Sequence, residues 1–152
     1  MNPITHLLPE THILLDLEAG SKKRLFEEAS QLLANTCGID RALVFDNLLA
    51  REKLGSTGLG QGVAIPHGRI KGLKETAGAF IRLAEPIDFD APDKRPVRLV
   101  FVLLAPEQAT ETSLQALAAL ATCFANRDFR EKLAAASDAA SVRELFSTAS
   151  AD

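Results

Sequence analysis

The chain has no tryptophan, no tyrosine, one methionine and only two cysteines. Cys37 and Cys123 lie far apart among apolar neighbours, which excludes the stapled framework of a small secreted domain and reads as two buried free thiols in a reducing compartment. Positive charge is not in excess either. A formal charge of −3 and a pI near 5.6 exclude the basic surplus of a sequence-independent nucleic-acid binder. The longest basic run, Lys22-Lys23-Arg24, reads as a solvated face at a helix start. No segment approaches about eighteen uninterrupted apolar residues, and MNPITHLLPE lacks a basic stretch followed by an apolar one, so the expectation is a soluble, cytoplasmic chain without membrane insertion. His6, His12, His67 and the cysteines give no zinc spacing, and no metal or other cofactor is called for.

What the chain does have is 47% hydrophobic residues over 152 positions, enough for one core without staples. Residues 1–10, with two prolines and mixed polarity, read as a flexible N-terminal arm ahead of a single domain over 11–152. From Thr11, HILLDL alternates as a short strand, with Ile13, Leu15 and Leu17 on one face and Asp16 on the other. A helix starts behind the Ser21 cap and stops at Gly38; a second starts at Asp40 and stops at Gly55, leaving Arg51 and Lys53 in its last turn.

Strands follow at 62–66, 78–84 and 97–104. The last is an apolar run without alternation, the mark of a strand covered on both faces. Three prolines between the second and third make that pair an antiparallel one with a long connection. The final third is helical: Thr112 with Gln115, and Ser141 with Glu144, are spaced as capping boxes, and Asn126 is a cap between them. Residues 134–140, rich in alanine, read as helix and turn. Helices early and late with strands between predict an α/β three-layer sandwich, a mixed central β-sheet with helices on both faces.

The most informative stretch is 51–69, REKLGSTGLGQGVAIPHGR. Gly55, Gly58, Gly60 and Gly62 precede one histidine, so the backbone can turn several N–H groups towards a concavity suited to an anion. Pro66 fixes its own φ and pushes Ile65 to β geometry, presenting His67 on a stiff support. A neutral imidazole with one nitrogen held and the other free is a nucleophile for phosphoryl transfer. That chemistry otherwise asks for donors and cations around the phosphoryl oxygens: Gly58 and its neighbours, the Ser56 and Thr57 hydroxyls, and the Arg51 and Arg69 guanidinia. The same residues also fit a surface histidine at a strand end with ordinary turn chemistry before it. No Lys-Ser or Lys-Thr follows the glycines and G-x-S-x-G is missing, which disfavours a nucleotide loop and a hydrolase elbow. His6 and His12 read as an idle arm residue and a structural strand residue.

REKLGSTGLGQGVAIPHGR resembles the phosphorylation-site region of enzyme IIA proteins of the phosphoenolpyruvate-dependent phosphotransferase system, fructose/mannitol class, most closely the nitrogen-regulatory branch, IIA-Ntr. AFIRLAEPIDFDAPDKRPVRLVFVLLAPE and the helix after it extend the resemblance over most of the chain. It implies that His67 is the phosphoryl acceptor, as a tele-phosphohistidine, with Arg51 stabilising charge and Ser56, Thr57, Gly58 and Arg69 contacting the phosphate. It also implies a phospho-histidine carrier of the HPr or NPr type as donor, and regulated targets such as a potassium transporter or a sensor kinase as recipients of the signal. The alternatives are a sugar-specific IIA passing phosphate to a separate IIB, and an interaction module that is not phosphorylated. Many relatives carry a histidine where this chain has Ser113 and Gln115, and that departure bears on onward transfer to a IIB.

Overall fold

The apolar run late in the chain is the strand around which the rest is arranged. In the computed structural model, which describes residues 4–108 and 111–149, the elements are β1 (Ile13–Leu17), α1 (Lys22–Cys37), α2 (Arg41–Leu54), β2 (Gly58–Gly60), β3 (Val63–Ala64), β4 (His67–Ile70), β5 (Ala77–Ile87), β6 (Val97–Pro106), α3 (Glu111–Ala125), α4 (Arg127–Ala135) and α5 (Ala139–Ala149). The sheet order is β1-β5-β6-β3-β2, with β4 also on β6. β6 is antiparallel to β5 and parallel to β3 and β4.

Alternate residues of β5 and β6 feed two cores. Phe80, Leu99, Phe101 and Leu103 meet α3, α4 and α5; Ile81, Leu83, Val100, Val102 and Leu104 meet α1 and α2. Both faces are therefore dry, which is why these strands show no polar alternation. The fold is a three-layer α/β sandwich with a mixed sheet. On the α3–α5 side, Phe80, Phe101, Phe124 and Phe129 each meet Phe146 edge-on, with ring centroids 5.2–5.9 Å apart, the arrangement aromatic quadrupoles favour.

Local chemistry ends the early helices as expected. The Ser21 side chain accepts from Arg24 N–H, Gly38 sits at φ 69°, and Asp40 accepts from Ala42 N–H. Asn126 caps α4 through Phe129 N–H at 3.0 Å. Elsewhere the caps differ. α3 already begins at Glu111, which puts Thr112 inside the helix, and Gln115 bonds back to Glu111. α5 is capped by Asp138, whose Oδ1 accepts from Ser141 N–H at 2.8 Å, one turn earlier than the Ser141/Glu144 pairing suggested.

Residues 4–10 are not a loose arm. They form two 3-10 turns, Thr5–Leu7 and Glu10–His12, separated by Pro9, and Ile4 and Leu8 have no exposed surface. These apolar side chains pack against the Phe80 and Phe101 layer, and the Arg143 guanidinium donates to Leu8 O at 3.0 Å. Pro9 separates the two turns without releasing the segment. Residues 1–3 of the expected arm and 150–152 of the expected domain lie outside the described residues.

β1 departs from simple alternation. Asp16 adopts φ 57° and the register with β5 slips between Leu14 and Leu17, so Leu17 joins Leu14 on the α1–α2 side while Ile13 and Leu15 face the other core. Such a bulge shifts side chains across the sheet.

Candidate functional site

His67 owes its position to an interrupted strand. β3 and β4 run along the same edge of β6, Val63 and Ala64 opposite Leu99 and Val100, then His67 opposite Leu103. Pro66 sits in the break, where it offers no N–H but its carbonyl accepts from Leu103 N–H at 2.9 Å. The break turns the Ile65 carbonyl onto the imidazole, with His67 Nδ1 2.8 Å from Ile65 O. A carbonyl only accepts, so Nδ1 carries a proton, and in the neutral ring Nε2 is the nitrogen with the lone pair. The half-buried ring is thus held in one tautomer by its own backbone.

The ring opens on a cleft of about 580 Å³ between α2, β4 and α3. Asn47, Arg51 and Leu54 line it from α2, at the i, i+4, i+7 spacing of one helix face. Gly68 faces that helix: a Cβ there would already touch Asn47 Cβ at 3.5 Å, so a larger side chain would push α2 away from the imidazole. Arg69 lies two residues beyond His67 on β4 and so shares its side of the strand. Arg51 Nη1 donates to Gly55 O at 2.9 Å, which caps its own helix and uses one of the guanidinium's five N–H donors. The arrangement places one imidazole and two guanidinia in a single concavity.

A family model described as phosphoenolpyruvate-dependent sugar phosphotransferase system, EIIA 2, matches residues 6–149. The chain belongs to that family. This EIIA domain is 45% identical to the nitrogen regulatory protein of Bradyrhizobium diazoefficiens over 92% of each chain. It is 41% identical to that of Pseudomonas aeruginosa over 93% of each. Its fold matches the crystal structure of nitrogen regulatory protein IIA-Ntr from Neisseria meningitidis with a TM-score of 0.90 and 56% identity, covering 94% of this chain and 98% of that one. Similarity to the nitrogen-regulatory branch thus spans nearly the whole domain, which is a component of phosphotransferase chemistry.

The glycine-hydroxyl loop of this EIIA domain does not line the cleft. Ser56 Oγ donates to Phe89 O at 2.6 Å and accepts from Gly58 N–H at 3.0 Å. Thr57 is 6% exposed, and its hydroxyl and amide both bind the Glu52 carboxylate. Gly58 is buried where a Cβ would come 2.9 Å from Ala91 Cβ. The expected phosphate contacts from Ser56, Thr57 and Gly58 are therefore corrected: these groups strap the end of α2 to the segment around residues 89–91. Gly60 and Gly62, at φ 90° and 80° with Gln61 at 59°, form the β2–β3 turn. Asp93 accepts there from Gln61 N–H at 2.8 Å and Arg95 N–H at 3.1 Å, bonds that hold its carboxyl below the ordinary range.

Glu52 gave no sequence signal, since in REKL it looks like any charge in a last helical turn. Its partner Lys22 belongs to the run read as a solvated face, yet Lys22 Nζ lies 2.8 Å from Glu52 Oε2 and 4.8 Å from the Phe89 ring centroid. His12 is buried with Nδ1 2.8 Å from Gly78 O, a structural bond, while His6 is exposed. Burial pushes the Cys123 thiol up. Ser113 lines the cleft and Gln115 is exposed on α3. Among the described residues no three His, Cys, Asp or Glu side chains gather as a metal site requires, and no helix is long and apolar enough to cross a membrane.

Proposed function

We propose that this EIIA domain is the phosphocarrier of a regulatory relay, taking a phosphoryl group on His67 Nε2 from a phospho-histidine carrier of the HPr or NPr type. The observation that carries the reading is the 2.8 Å contact between His67 Nδ1 and Ile65 O. The Nε2 lone pair attacks phosphorus, the new P–N bond forms, and the carrier's P–N bond breaks with its electron pair returning to the carrier's imidazole. His67 keeps its Nδ1 proton through the step, so positive charge grows on the ring and the Ile65 carbonyl is already placed to accept from it. Arg51 and Arg69 neutralise the equatorial oxygens. Ser56, Thr57 and Gly58 act one step back, by fixing the end of the helix that carries Arg51.

The output is binding of a regulated protein according to phosphorylation state. A phosphoryl group adds about −1.5 to −2 charges at the centre of the cleft, enough to exchange one partner for another without a large movement. Close similarity to proteins named nitrogen regulatory favours this over a sugar-specific IIA that hands phosphate to a IIB, as does, by the resemblance, Ser113 and Gln115 standing where many relatives have a second histidine. Mass spectrometry after incubation with phosphoenolpyruvate, the general enzyme and an HPr-type carrier tests it. One phosphate is expected on the wild type and none on His67→Ala; an undiminished adduct in a folded mutant rejects the assignment.

A further inference from the structure

His12 is 7% exposed, and the fold uses only one of its ring nitrogens. Nδ1 lies 2.8 Å from Gly78 O, so it carries a proton, and in the neutral ring Nε2 is the nitrogen with the lone pair. Nε2 has no hydrogen-bond partner among the described residues, yet it is not sealed in the core. The side chain lines a second cavity, of about 590 Å³, between the N-terminal turns, the end of α1 and the segment leading into β5. This cavity shares no lining residue with the His67 cleft.

Two further electron-rich groups meet the imidazole lone pair there. α1 ends on the cavity at Cys37 and Gly38, where the terminal carbonyls carry partial negative charge, and its last turn has no basic side chain to offset them. Glu75 adds a carboxylate. A cationic N–H donor suits all three. The exposed Lys74 beside Glu75 supplies the opposite charge, and Leu7, Ile39 and Leu73 supply apolar wall; the volume is that of a small-molecule site. We infer that this cavity binds a small organic ammonium compound, whose N–H groups donate to His12 Nε2 and to the end of α1. Lys74 favours compounds that also carry a carboxylate, which is the class of the α-amino acids. The inference does not depend on His67 being a phosphoryl acceptor.

The chain has three histidines, so a ¹⁵N imidazole spectrum of the full protein at about pH 8, where an ordinary imidazole is neutral, reads His12 directly and carries His67 as an internal control. The probes are L-norvaline, butylamine and pentanoate, which share a short hydrocarbon chain and carry both charges, the positive one and the negative one. Butylammonium is expected to shift His12 Nε2 saturably, with a Kd of about 1 mM as suits so small a ligand. Norvaline should bind about threefold tighter, the size of one exposed ion pair, and pentanoate should leave the ring unmoved, as all three should leave His67. Glu75→Gln, at an exposed position, should weaken both ammonium compounds about threefold, and Lys74→Met should bring norvaline to the level of butylammonium. A His12 signal that neither ammonium compound moves, or that pentanoate moves equally, overturns the inference and leaves the cavity to water. Norvaline binding that Lys74→Met does not weaken overturns the selection for a carboxylate.

Discussion

Glu52 and Thr57, five residues apart across the end of α2, are joined by three hydrogen bonds. The Thr57 hydroxyl donates to Oε1 at 2.6 Å, and its amide donates to both carboxylate oxygens at 3.1 and 3.3 Å. Lys22 Nζ closes the arrangement at 2.8 Å from a carboxylate whose side chain is only 5% exposed. Removing one member of a buried charged set leaves the others unmatched, which costs more than the pair contributes. Glu52→Ala is expected to lose about 2–4 kcal/mol, a fall in urea midpoint of about 1–2 M for a domain of this size. Thr57→Val should lose less, because Lys22 still faces the carboxylate. Equilibrium urea unfolding of both variants checks the order; a Thr57→Val midpoint equal to wild type would mean that Thr57 is not what holds the strap.

Asp16 sits between two guanidinia. Arg82 grips it with Nε and Nη2 at 3.1 and 3.0 Å while its Nη1 caps the end of α4, with Ala136 O at 2.6 Å; Arg98 lies 3.6 Å away. The hydrogen bonds from Arg82 are the main reason the Asp16 carboxyl is held below its ordinary value of 3.8. Asp138 is lowered by its bonds from Ser141. A carboxyl with a lowered folded pKa binds fewer protons folded than unfolded, so its contribution is complete above the unfolded value and fades as pH falls through the folded one. Urea midpoints of wild type and Asp16→Asn should therefore differ at pH 6 and converge below pH ~4. Asparagine tolerates the φ of 57° at this position, so the comparison isolates charge. A gap that persists unchanged to pH 3 contradicts the linkage.

Arg51 tests the charge arrangement of the cleft. Its Nη1 donates to Gly55 O at the end of α2, and the guanidinium lines the cleft that His67 also lines. Arg51→Lys keeps the charge but not the planar set of donors, and Arg51→Met removes both. Removing a preorganised donor costs about 10²–10³ in rate where charge develops, so phosphoryl transfer should fall by roughly that factor in Arg51→Met and by less in Arg51→Lys. Quench-flow transfer from a phosphorylated carrier measures this, with thermal unfolding to show that the variants are folded. Wild-type rates in Arg51→Met would leave Arg69 as the cation that matters.

Features set by neighbours along the chain are legible in the amino-acid sequence. Ser21 and Gly38 delimit α1 by bonds within a turn, and the unbroken apolar run of β6 announces a strand covered on both faces. Pro66 before His67 marks a fixed presentation. What is not legible there depends on distant partners. Ser56 and Thr57 look free until Phe89 and Glu52 take their hydroxyls. β2, with Gly58 and Gly60, and β4, with one apolar residue at Ile70, have no strand pattern of their own and exist because β3 and β6 pair with them. Ile4, Leu7 and Leu8 carry no periodicity strong enough to outweigh two prolines, yet the phenylalanine layer they cover is assembled from residues about 70 to 140 positions later.

Leu54 of α2 and Leu114 of α3, 86% and 63% exposed, both line the His67 cleft. Under the proposed relay, large apolar side chains kept in water beside His67 would be contact residues for the carrier that brings the phosphoryl group. Leu54→Asp and Leu114→Asp remove exposed surface only, so stability should stay within about 0.5 kcal/mol of wild type. The carrier concentration giving half-maximal transfer should rise about tenfold in each, as for loss of an interface anchor, with the rate at saturating carrier little changed. Leu59→Asp is the control: Leu59 is 48% exposed but lies on β2, outside the cleft, and its variant should transfer as wild type. If all three behave alike, the effect is one of added negative charge on an already acidic protein, and the two leucines are not the docking rim.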